Sequence, residues 1–70
     1  MSGPDPDAGD LPAGIGRPAT RALMLAGHTR LERFADLTEA DLLALHGVGP
    51  KAVRILRESL AARGLSLRPR

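Results

Sequence analysis

Between Leu45 and Leu56 the chain reads LHGVGPKAVRIL. Two glycines flank one valine, and a proline and a lysine then open a helical pattern. Glycine accepts positive φ and, having no Cβ, lets another backbone come close. The apolar residue between the glycines can plug into a core and fix the loop. A helix start leaves its first amide N–H groups without intrahelical partners, at the positive end of the dipole. Gly47, Val48 and Gly49 would therefore offer bare backbone donors, with Lys51 beside them as a mobile positive charge and Arg54 one turn further on. The chemistry this suits is the binding of an anion such as a phosphate oxygen.

The pattern occurs twice. Shifted by 33 residues, Gly14-Ile15-Gly16-Arg17-Pro18-Ala19-Thr20-Arg21-Ala22-Leu23 lies over Gly47-Val48-Gly49-Pro50-Lys51-Ala52-Val53-Arg54-Ile55-Leu56. Both read Gly, β-branched, Gly, two residues, Ala, one residue, Arg, one residue, Leu. Two copies are too few for a solenoid, so a paired motif is expected. Gly16, Arg17 and Arg21 then form a second candidate anion site beside Gly47, Val48, Gly49, Lys51 and Arg54.

The elements that must position these residues are marked by their ends. Pro18 sits where a first helical turn tolerates proline, and Gly27 where a left-handed cap belongs. Thr29 with Glu32, and Thr38 with Asp41, each fit a threonine cap followed three residues later by an acid. The first would start a short helix holding Leu31 and Phe34, the second one holding Leu42, Leu43 and Leu45. Pro50 begins a last helix reaching about Arg63, with Gly64 as its stop. Nothing alternates with period two, so the expected fold is all-α, a compact bundle of four short helices. Its expected core is Leu23, Leu31, Phe34, Leu37, Leu42, Leu45, Val48, Val53, Leu56 and Leu60. At 100° per residue, Lys51, Arg54 and Arg57 fall opposite Val53, Leu56 and Leu60, while Arg17 and Arg21 share the outer face of the first helix.

Residues 1–10 carry Asp5, Asp7 and Asp10 but no large apolar residue after Met1, and are read as a disordered acidic tail. Residues 11–67 form the expected domain, and 68–70 a flexible C-terminus. From residue 11 onward there are 10 basic and 5 acidic side chains, a net +5, and nine of the basic ones are arginine. Arginine pairs with phosphate through a rigid fork of donors, so the balance points to a polyanion. A domain of about 60 residues buries only about 60% of its unfolded-chain surface, which disfavours a deep catalytic cavity.

Several chemistries lack support. With no cysteine there is no disulfide and no thiolate metal site. His28 and His46 read as loop residues at helix ends, and neither a metal nor another cofactor is expected. Glu39 and Asp41 sit in a first helical turn, where negative charge is stabilising. Thr20, Thr29, Thr38, Ser59 and Ser66 have no base at a recognisable spacing, so the chain does not read as an enzyme. Phe34 is the single aromatic residue and belongs to the core, which removes the stacking platform that single strands require. No apolar run approaches a membrane span and no signal peptide is visible, so a cytoplasmic protein is expected.

Leu45-His46-Gly47-Val48-Gly49-Pro50-Lys51-Ala52 resembles the hairpin of the helix-hairpin-helix family, whose usual form is Leu-Pro-Gly-Val-Gly-Pro-Lys. From about Leu11 to Leu67 the chain also looks like the C-terminal domain of the bacterial RNA polymerase α subunit. The shared order is a first helix ending in glycine, a short helix, a threonine-capped helix, a glycine hairpin and a last helix. The resemblance implies a SAM-like bundle of two helix-hairpin-helix-like units. It also implies sequence-independent contacts to the phosphate backbone of duplex DNA, usually across the minor groove. By that likeness Gly47, Val48 and Gly49 would give amides and Lys51 would contact a phosphate. His46 replaces the family's proline. The places of the polymerase domain's DNA-binding arginine and asparagine fall on Pro18 and Arg21, so its sequence preference does not carry over.

The expectation is thus a small, monomeric, non-enzymatic DNA-binding protein, nucleoid-associated within the cytoplasm. The alternative is a protein-interaction module of the same fold, using Met24, Leu25 and Ile55. Binding of RNA is a third, weaker reading, because the residues do not distinguish duplex types.

Overall fold

Local residue choices account for where each helix begins and stops in the computed structural model, which describes residues 9–69. A 3₁₀ turn, Ala13–Ile15, leads into α1, Gly16–Leu25. Gly27 takes φ +83, which only glycine adopts cheaply. This lets the His28 amide donate to the Leu23 carbonyl at 2.8 Å and the Gly27 amide to the Met24 carbonyl at 3.0 Å. The last helix repeats the device. α3 spans Pro50–Ala62, Gly64 has φ +73, and the Leu65 amide donates to the Leu60 carbonyl at 2.8 Å. Both ends are Schellman caps that satisfy otherwise orphaned carbonyls.

Between them lie a second 3₁₀ helix, Leu31–Asp36, and the five-residue α2, Glu39–Leu43. α2 has the full capping box that its sequence announces. The Asp41 amide donates to Thr38 Oγ1 at 3.1 Å, and the Thr38 amide donates to the Asp41 carboxylate at 2.9 Å. The expected cap at Thr29 does not form. Arg30 precedes the 3₁₀ helix without a side-chain cap, and the Leu31 amide donates instead to the Asp10 carboxylate at 3.3 Å. Asp10 can reach it because its own amide is anchored on the Thr29 carbonyl at 2.9 Å.

This contact also corrects the domain boundary. Asp10, expected in the acidic tail, is part of the fold and lies 3.6 Å from Arg63 as well. The rest of that expectation, residues 1–8, lies outside the described residues. At the other end Leu65 and Leu67 lean on the core, and the Arg68 amide donates to the Leu37 carbonyl at 2.8 Å. Arg68 is therefore tied down rather than part of a free C-terminus.

The fold is all-helical, with no strand among the described residues. Phe34 is fully buried at the centre with Leu23, Leu31, Leu42, Leu56 and Leu60, each such side chain contributing about 2 kcal/mol. Leu37 and Leu45 sit at the edge, half buried. Ile15 fills the core as the residue between the glycines was expected to, and two unexpected residues, Ala19 and Ala52, join it. Ile15 matches Val48, and Ala19 matches Ala52, across the 33-residue repeat. The repeat is therefore a repeat of burial.

The two halves are interlocked. A Cβ on Gly14 would lie 3.6 Å from the Ile55 side chain of α3, and one on Gly47 would lie 2.9 Å from the Pro18 carbonyl oxygen of α1. Each glycine loop thus rests on the helix of the other half.

Candidate nucleic-acid interface

The second hairpin is built from the end of α2. Beyond Ala44 the chain turns, and the Val48 amide donates back to the Leu45 carbonyl at 3.1 Å. Gly47, at φ +99, makes the reversal, and Val48, 6% exposed, plugs into the core. Gly49 is extended, φ −111 and ψ 179, and its carbonyl accepts from the Val53 amide at 3.1 Å. Pro50 then supplies the first helical residue without an N–H to satisfy.

This geometry leaves the start of α3 open. Among the described residues, no side chain caps it and the amides of Gly49, Lys51 and Ala52 have no acceptor. A Cβ on Gly49 would meet nothing within 4 Å. The backbone of Gly49 nevertheless matches that of Thr38 (φ −94, ψ 164), the residue that caps α2 with its hydroxyl. The same extended geometry is closed at one helix and bare at the other. Of the three amides expected to donate outward, Val48's is spent inside the loop.

The first hairpin has the same residues in a different backbone. Here the positive φ falls on the second glycine, Gly16, at +86, instead of on the first. The Gly16 amide turns inward to the Ala13 carbonyl, and its carbonyl accepts from Thr20 Oγ1 at 2.8 Å. Gly16 is therefore not an outward amide donor, although the start of α1, like that of α3, carries no side-chain cap.

The basic side chains are placed as their helical positions require. Arg17, Arg21, Lys51 and Arg54 are all exposed, and none lies within 4 Å of a carboxylate among the described residues. Arg57 differs, because its guanidinium is 3.3 Å from the Glu39 carboxylate. Glu58 is exposed on the same helix and pairs with none of these bases. Gly47 against Pro18 brings the loop before α3 onto the first turn of α1, next to Arg17. Arg17 and Arg21 rim a groove of about 630 Å³, with Met24 and Leu25 along it. Leu25 is 81% exposed. Ile55 is half buried against Gly14 and is not part of that apolar surface.

A second groove, of about 420 Å³, holds Arg30 and Arg33 together with His28 and Asp36. Sequence reasoning passed over it, although the i, i+3 spacing of the two arginines was available as a signal. Nearby, Asp41 has its pKa lowered below the ordinary carboxylate value. The Thr38 backbone amide is the largest cause and the Thr38 hydroxyl the next, with smaller contributions from the charges of Arg68 and His28. His28 itself sits edge-on to Phe34, ring centres 6.4 Å apart.

Among the described residues no three His, Cys, Asp or Glu side chains gather as a metal site would need, and no helix is long and apolar enough to cross a membrane. Comparison with protein-family models, with curated proteins and with solved structures returns no match for this chain.

Proposed function

We propose that this domain is a non-enzymatic binder of duplex DNA that grips the phosphate backbone without reading bases. The observation that carries the reading is the uncapped start of α3 at Gly49, beside exposed Lys51 and Arg54. A helix N-terminus with free amides and a positive dipole suits a phosphate oxygen, and adjacent cations add long-range attraction. The start of α2, with nearly the same N-cap backbone, is by contrast closed by a complete capping box. The likeness of this segment to the helix-hairpin-helix hairpin supports the same reading, and Arg17 and Arg21 supply further phosphate contacts from α1.

The test is Gly49→Ser. Serine is a strong N-cap residue, the backbone there already has N-cap geometry, and the side chain has room. Its hydroxyl would take the amides that a phosphate needs. The variant should be at least as stable as the parent and bind duplex DNA more weakly. Unchanged affinity in a folded Gly49→Ser protein refutes the amide cradle.

A second reading, docking to a protein, is favoured by one observation, the exposure of Leu25 beside Met24 on α1. Salt separates the two, because counterion release weakens phosphate binding steeply and leaves apolar docking almost unchanged.

A further inference from the structure

The groove lined by His28, Arg30, Arg33 and Leu37 carries cations that the hairpin does not use. Arg30 precedes the second 3₁₀ helix and Arg33 lies within it, and both side chains are exposed. Asp36 lines the same groove, yet neither arginine lies within 4 Å of it or of any other carboxylate among the described residues. Arg68 is tied to the same wall, its amide donating to the Leu37 carbonyl at 2.8 Å. Asp41, whose charge interacts with Arg68 and His28, is already engaged by the Thr38 amide at 2.9 Å. Three guanidinium groups therefore gather near two carboxylates, one of which has its own partner. Unpaired guanidinium forks of this kind suit phosphate oxygens.

The groove stands at the opposite end of the domain from the hairpin. At one end of α1 the first-turn residue Pro18 seats Gly47, and at the other the chain passes through Gly27 into His28, whose amide caps the helix on the Leu23 carbonyl. α3 starts at the hairpin itself. Arg63, just past its end, lies 3.6 Å from the Asp10 carboxylate, and that carboxylate also accepts from the Leu31 amide beside Arg30. Both helices thus run from the hairpin to the groove, α1 over about 15 Å and α3 over about 20 Å. The free amides at the start of α3 point back along its axis, away from the groove. A phosphate held there leaves Arg30 and Arg33 facing solvent on the far side.

We propose that the groove of His28, Arg30 and Arg33 is a second phosphate site, which takes the backbone of another duplex while the hairpin holds the first. One chain then bridges two duplexes. The bridging rests on the nucleic-acid reading of the hairpin, whereas the groove's affinity for phosphate does not.

The test titrates the full isotope-enriched chain at low salt with a duplex of one helical turn, about 10 base pairs. Amide shifts read the two ends separately, and sedimentation equilibrium of the same mixtures counts duplexes per chain. Gly49, Lys51 and Ala52 should move at one end and His28, Arg30 and Arg33 at the other, with two duplexes on each chain when duplex is in excess. Arg30→Gln with Arg33→Gln keeps the apolar stems and removes only the charge. That variant should lose the groove shifts, keep the hairpin shifts and stop at one duplex per chain. Saturation of the parent at one duplex overturns the proposal, even with both ends shifted, because one duplex then covers both. A complex of two duplexes that survives the double substitution overturns it too. Shifts confined to the hairpin remove the groove site and leave the hairpin reading standing. Shifts confined to the groove do the reverse, upholding the phosphate site while the hairpin reading and the bridge fall. Shifts at neither end refute both.

Discussion

Gly47 and Pro18 are 29 positions apart in sequence, yet a Cβ on Gly47 would stand 2.9 Å from the Pro18 carbonyl oxygen. Gly47 also holds φ +99, a conformation costly for any other residue. Gly49, two residues away, has an ordinary extended backbone and open space around its Cβ position. Gly47→Ala should therefore cost about 2 kcal/mol or more, while Gly49→Ala should cost only about 0.5 kcal/mol through its weaker N-cap preference. Urea denaturation of both variants checks this. Equal losses would mean that the two glycines do the same work, contrary to the geometry.

Salt dependence gives the second prediction. With Arg57 engaged by Glu39, the cations left for phosphate are Arg17, Arg21, Lys51 and Arg54. Four neutralised phosphates give a slope of log affinity against log salt of about −3.6. Lys51→Ala should weaken binding equally on unrelated duplex sequences and bring the slope to about −2.7. Arg57→Ala should leave the slope unchanged. Fluorescence anisotropy at several salt concentrations reads all three values.

The third concerns the trans cap. Asp10 accepts from the Leu31 amide and also meets Arg63, whose side chain is more than half exposed. Asp10→Ala should cost about 1 kcal/mol by orphaning a partly buried amide, a melting-temperature drop of about 4–8 °C for a domain of this size. Arg63→Ala removes only an exposed ion pair and should cost far less. Calorimetry of the two single variants distinguishes them, and equal losses would assign the effect to the ion pair.

Acid titration gives the fourth. The folded protein holds Asp41 below its ordinary pKa, chiefly through the Thr38 amide. A depressed folded value means the contribution is fully present above the unfolded pKa, about 3.9. It is lost as pH falls through the lower folded value. Asp41→Asn should therefore flatten the loss of stability below about pH 4 and leave the slope between pH 6 and 8 unchanged. Thermal melts across that range read both slopes, and an unflattened acid limb in the variant would remove the role assigned to Asp41.

Helix ends were legible because their chemistry is local. Gly27, Gly64 and the Thr38–Asp41 box each act within five residues, and all three hold in the structure. The cap of the second 3₁₀ helix was not legible, because its acceptor is Asp10, 21 residues away from Leu31. Burial of Ala19 and Ala52 was missed for a related reason. A small side chain becomes core only where helices approach closely, and periodicity says nothing about that distance. The hairpin glycines were legible as types but not as conformations. Glycine permits positive φ at either position, and packing puts it on Gly16 in one loop and Gly47 in the other. At the candidate site the exposed cations followed from helical spacing, whereas the spent amides of Gly16 and Val48 depended on the turns actually adopted.

The crossing of each glycine loop onto the opposite helix has a bearing on how the chain reaches its native state. Gly14 meets Ile55 across 41 positions, and Gly47 meets Pro18 across 29. Neither half can complete its own loop seat, so a fragment ending before α2 would keep its Schellman turn and lose the surface that shields Ile15. Closure of those long segments must precede the reward of burying Ile15 and Val48, and loop entropy makes it the slow step despite the short helices. Folding should consequently be all-or-none, with α1 and α3 appearing in the same kinetic phase, and the open end of α3 at Gly49 should exist only in molecules that have already docked α1.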